Sequence, residues 1–146
     1  MSYRRAILAA PLALLLAPPA RATPEAMREA MRAVLGTAAP RPGGIALDVP
    51  PLVDNGNAVP LEVIVDSPMT DAAHVRAIHV FNEKNPQPLV FHAWLGPASG
   101  RARVATRIKL GDSQRVAAIA AMSDGTFRIA EADVIVTLAA CFEELT

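Results

Sequence analysis

Between Arg101 and Leu110 the chain alternates: Val104, Thr106, Ile108 and Leu110 fall on one side of an extended strand, and Arg101, Arg103, Arg107 and Lys109 on the other. Similar apolar segments at 45–49, 59–66, 75–82, 89–95, 114–122, 126–130 and 134–138 also predict short strands. Turn signals punctuate them: Pro50-Pro51, Asp54-Asn-Gly-Asn57, Ser67–Asp71, Asn85-Pro-Gln-Pro88, Gly96-Pro97, Ser99-Gly100, Gly111-Asp112 and the hairpin pair Asp124-Gly125. One stretch follows a helical period instead. Met27, Met31, Val34 and Leu35 form an apolar stripe, Thr23-Pro24-Glu25 is a well-formed helix start, and Gly36 suits its end. The methionines read as packing residues rather than as a metal-binding box. Pro40, Pro42, Gly43 and Gly44 then read as a linker that no helix can cross. One helix followed by about eight short strands predicts a mostly β chain, an immunoglobulin-like antiparallel β-sandwich with a short N-terminal helix.

Before the helix lies a segment of a different kind. Arg4 and Arg5 precede a compact apolar run from Ala6 to Ala17, and Ala20-Arg-Ala22 places small residues where a signal peptidase reads. The run is short of the roughly 20 residues that span a bilayer, so residues 1–22 read as a cleaved signal peptide rather than an anchor. The paired arginines fit the twin-arginine route. The expected organisation is therefore 1–22 signal, 23–44 helix and linker, 45–138 β-sandwich, and 139–146 a C-terminal tail. Roughly 120 mature residues are enough for one domain with its own core. Fourteen basic side chains balance fourteen acidic ones, which gives no electrostatic footprint for nucleic acid or a membrane surface.

The chemistry on offer is sparse. His74, His79 and His92 lack the spacing of a preorganised metal motif. Trp94 reads as core or interface packing. No serine sits in a nucleophile-elbow motif, and no carboxylate pair can be placed from sequence, so nothing supports an enzyme. The basic side of 101–110 reads as a solvated strand face rather than a docking stripe for an acidic partner or small anion. What remains is Cys141, the sole cysteine. In an oxidising compartment an unpaired thiol is an intermolecular partner or a reactive group, and its place beyond the last strand favours exposure. Position alone leaves a functional thiol and a buried, inert one equally open.

Several segments taken together resemble the SoxY family, the periplasmic sulfur-carrier subunits of bacterial thiosulfate oxidation. They are Asp54-Asn-Gly-Asn-Ala-Val-Pro60, Ile78-His-Val-Phe-Asn-Glu-Lys-Asn-Pro86, Arg103-Val-Ala-Thr-Arg-Ile108, Ser123-Asp-Gly-Thr-Phe127 and Glu131-Ala-Asp-Val-Ile-Val-Thr-Leu138. Their order and spacing carry the resemblance across the mature chain. It implies a periplasmic carrier without activity of its own or any cofactor or metal. It implies a SoxZ-like subunit as heterodimeric partner and Cys141 as the covalent attachment point for sulfur intermediates. It further implies a haem c protein that loads the thiol, and a metal-dependent sulfur hydrolase and a sulfur dehydrogenase that process the adduct.

The tail departs from the family pattern. The family's Gly-Gly-Cys-Gly-Gly is replaced by Ala139-Ala-Cys-Phe-Glu-Glu-Leu-Thr146, with a bulky Phe142 and with Glu143 and Glu144 in place to repel anionic thiosulfate or sulfite. The other reading is a non-enzymatic interaction subunit of another periplasmic system, for example one associated with a quinoprotein dehydrogenase. Phe142 and Leu145 would then fasten the tail, and Cys141 would be packed or bridged between subunits.

Overall fold

The computed structural model describes residues 22–141. Residues 1–21, which hold nearly all of the expected signal peptide, and the residues Phe142, Glu143, Glu144, Leu145 and Thr146 lie outside the described residues. A helix, α1 (Pro24–Leu35), precedes nine strands: β1 (Arg41–Pro42), β2 (Ile45–Asp48), β3 (Leu52–Val53), β4 (Val59–Val65), β5 (Val75–Asn82), β6 (Leu89–Trp94), β7 (Arg103–Ile108), β8 (Gln114–Met122) and β9 (Phe127–Val136). They form two sheets. The larger has the order β1-β9-β8-β5-β6, with β3 also on β9, and the smaller has the order β2-β4-β7. Together they make the expected two-layer sandwich.

The core lies between the layers. Alternate residues of β4, namely Val59, Leu61, Val63 and Val65, are buried against Ile78, Val80, Val116, Ala118, Ala120 and Val134 of the larger sheet. β8 is buried from Val116 to Ala121, because both of its faces are covered. Its other face, with Phe81 of β5, meets α1: Met27, Phe81, Ala117 and Ile119 form a second buried cluster, flanked by Met31, Val34, Phe127 and Ile129. The methionine stripe is thus packing, as the helical period indicated. The helix starts where Thr23 Oγ1 accepts the Ala26 N–H at 3.1 Å. It stops where Gly36, at φ 62°, donates its N–H to Arg32 O at 2.8 Å.

Four details differ from the sequence expectation. The segments 126–130 and 134–138 are one strand, since β9 pairs with β8 in unbroken register from Gln114↔Val134 to Ala121↔Phe127. Glu131 and Asp133 continue the alternation outward, and Arg115 pairs with its register neighbour Asp133 at 3.1 Å. The proline-rich stretches around Pro42 and Pro51 contribute β1 and β3, both parallel to β9, so the larger sheet is not wholly antiparallel. Short proline-bearing pieces suit a strand that needs its edge covered. β7 keeps its charged residues outside, but its Thr106 is also exposed, on an edge strand of the small sheet. Of the two packing roles expected for Trp94, core or interface, the core one is excluded: it is 74% exposed. Among the described residues no helix is long and apolar enough to cross a membrane.

Candidate functional site

The end of β9 runs into an arm, residues 137–141, that is stitched to the sandwich rather than left loose. Ser113 Oγ accepts the Val136 N–H at 2.9 Å. Thr137 donates its N–H to Val53 O at 3.0 Å and its hydroxyl to Asp54 O at 3.1 Å. Leu138 O accepts the Gly56 N–H at 2.7 Å, and the Ala140 N–H reaches Leu110 O at 3.0 Å. The last contact is on the cysteine, whose N–H donates to Asn57 Oδ1 at 3.1 Å. Cys141 itself is exposed.

Gly56 is the hub. Its N–H holds Leu138 and its O accepts the Leu110 N–H at 2.8 Å. A Cβ at this position would lie 2.3 Å from Leu110 O, 2.9 Å from Ala140 N and 3.1 Å from Val136 Cγ1. Only glycine lets three backbone segments meet so closely. The loop is tightened by Asn55, whose Oδ1 accepts both the Asn57 N–H at 2.9 Å and Asn57 Nδ2–H at 3.0 Å.

Leu110 is fixed in turn by a buried polar network. Asn85 Nδ2 donates to Lys109 O at 2.7 Å, and Asn85 Oδ1 accepts the Gly111 N–H and Gln114 Nε2–H, each at 3.0 Å. Asn82 Oδ1 accepts the Asn85 N–H at 3.1 Å, and Gln114 Oε1 accepts the Lys84 N–H at 2.9 Å. Asn82, Asn85 and Gln114 are all buried; both amide atoms of Asn85 and Gln114 are hydrogen-bonded, whereas Asn82 Nδ2 has no partner among the described residues. Sequence reasoning saw Asp54–Asn57 only as a turn and Asn85 only as part of a stiff connection. The Asn-Gly-Asn cluster was a visible signal, but its contact with residues 138–141 depends on tertiary approach.

The histidines lie elsewhere. His79 and His92 face one another across β5 and β6 on the outer face of the larger sheet, with ring centroids 6.0 Å apart. Trp94 stands edge-on to both, at 6.2 and 5.6 Å. Burial, and then the neighbouring His92, lower the pKa of His79 below its ordinary 6.5. Its Nδ1 is buried without a hydrogen-bond partner among the described residues. His74 is apart, with Nδ1 3.0 Å from Thr70 O. Among the described residues no group of three His, Cys, Asp or Glu side chains is placed to hold a metal ion.

The family model of the sulfur oxidation protein SoxY matches residues 31–141, from the middle of α1 to the cysteine. The chain belongs to the SoxY family. The fold agrees: the sulfur carrier protein SoxY from Chlorobium limicola f. thiosulfatophilum superposes with a TM-score of 0.65 at 21% identity, covering 78% of this chain and 98% of that one. A superoxide reductase (neelaredoxin) from Ignicoccus hospitalis shares the sandwich with a TM-score of 0.58 at 18% identity, covering 64% of this chain and 80% of that one. At these identities the likeness is one of fold. No curated protein matches the chain.

Proposed function

We propose that this SoxY-family chain is a periplasmic covalent sulfur carrier in thiosulfate oxidation, with Cys141 as the atom of attachment. The observation that carries the reading is the exposed thiol of Cys141 on a C-terminal arm that is fastened to the sandwich from Val136 onward. Such an arm offers sulfur outward without disturbing the core. Joining Cys141 Sγ to the outer sulfur of thiosulfate makes a disulfide bond: a thiolate and thiosulfate become an S-thiosulfonate and release two electrons. The loading partner must accept those electrons, which is the task of the haem c protein. A metal-dependent sulfur hydrolase and a sulfur dehydrogenase then act on the bound adduct, and the carrier has no activity of its own.

A SoxZ-like subunit as partner is supported by Trp94 and its histidine neighbours, an exposed aromatic patch of the kind that protein interfaces cover. Export rests on Arg4-Arg5, the apolar run and Ala20-Arg-Ala22. Mass spectrometry of the purified complex after exposure to thiosulfate and the loading protein tests the reading. A thiosulfonate adduct on Cys141, absent from Cys141→Ser, is the expected result, and an unmodified Cys141 under loading conditions overturns it.

A further inference from the structure

The amide that holds the end of the arm is itself held. Asn57 presents Oδ1 to the Cys141 N–H because its Nδ2 is committed to Asn55 Oδ1. Turned over, the amide would set its NH2 donors against the Cys141 N–H and its oxygen against that of Asn55. This contact differs from those upstream. Leu138 and Ala140 are tied through backbone groups to Gly56 and Leu110, and Ala140 is buried. Peeling Ala140 away would expose its methyl and leave Leu110 O without its partner. The Asn57 contact is exposed, comes from a side chain, and acts on the residue that bears the thiol. Among the described contacts of the arm, the one at Asn57 is therefore the most easily released.

We infer that Asn57, oriented by Asn55, is a positioning latch for the carrier thiol. Seated, it fixes the backbone of Cys141 at the edge of the fold. Released, it lets Cys141 turn about Ala140 to enter a partner's site. The inference rests on the carrier reading of Cys141 and names the residue that governs its presentation. A single exposed hydrogen bond, worth about 1 kcal/mol net, favours the seated state about five-fold. That ratio defines where the thiol is first met and leaves the released state well populated.

The test is site-resolved amide hydrogen exchange on the full chain, comparing Asn57→Ala and Asn57→Asp with the unaltered protein. In Asn57→Ala the Cys141 amide should exchange about five-fold faster, while the β8 amides around Ile119 keep their protection. Asn57→Asp retains an acceptor for the Cys141 N–H but sets its other oxygen against Asn55 Oδ1, so it should restore Cys141 exchange only in part, and full restoration would show that Asn55 does not orient the latch. Should Asn57→Ala lose β8 protection, Asn57→Ser, whose hydroxyl is too short to reach, reads the same contact. Unchanged Cys141 exchange in a folded variant overturns the latch. Thiosulfate loading of the unaltered protein, measured beside it, separates the two ideas. Loading without an exchange effect sinks the latch alone. An exchange effect in a protein that cannot be loaded sinks the carrier reading and leaves the latch standing.

Discussion

The helix at one end of the described chain and the arm at the other both lie against the same sandwich, but they are held by different physics. α1 is fixed by burial: Met27 is 3% exposed and sits over Phe81, Ala117 and Ile119. Apolar burial is non-directional, so the helix can shift slightly and keep most of its stabilisation. The arm buries little beyond Ala140 and is fixed by a row of hydrogen bonds to Val53, Asp54, Gly56, Asn57 and Leu110. Directional contacts define position closely, and each can be released at a small cost. Burial suits a part that stays put, and releasable directional contacts suit the presentation of Cys141 proposed above.

Three changes break or sharpen this contrast. The largest effect is expected from Met27→Ala, which empties the helix's buried contact and should cost about 3 kcal/mol in denaturant unfolding. Exchange at residues 138–141 should stay as it is, and a matching loss there would mean that the two ends are coupled. Gly56→Ala forces a methyl against Leu110 O and Ala140 N. It should cost about 2 kcal/mol and strip protection from Leu138 and Ala140 while leaving α1 protected. A variant with a well-protected arm would show that Gly56 is not the hub.

The smallest effect concerns pH. The pKa of His79 is lowered in the fold, so the unfolded chain binds the proton more readily. Its contribution to stability is complete above the unfolded value of 6.5 and declines as pH falls from there through the folded value. Replacing His79 with Gln should flatten that part of the stability profile between pH 7 and 5, measured by denaturant midpoint. An unaltered slope would place the proton elsewhere.

Most of the strands could be read along the chain because burial on one face imprints a period of two, as in Val59, Leu61, Val63 and Val65. The helix was as plain, since its cap, stripe and stop are local. The uninterrupted β9 was not, because its Glu131-Ala-Asp133 interruption is overridden by register with β8, which is a property of two strands. Nor was the exposure of Trp94, since an edge strand's outer face looks like a buried one in the alternation alone. Cys141 stood out by its isolation and by position. Its surroundings did not: Gly56, Asn57, Asn85 and Leu110 lie 31 to 85 residues away along the chain. Periodicity and capping are short-range and written in neighbouring residues. The clasp around the thiol arises only when distant loops converge, and the close backbone approach that demands glycine at position 56 exists only in the assembled fold.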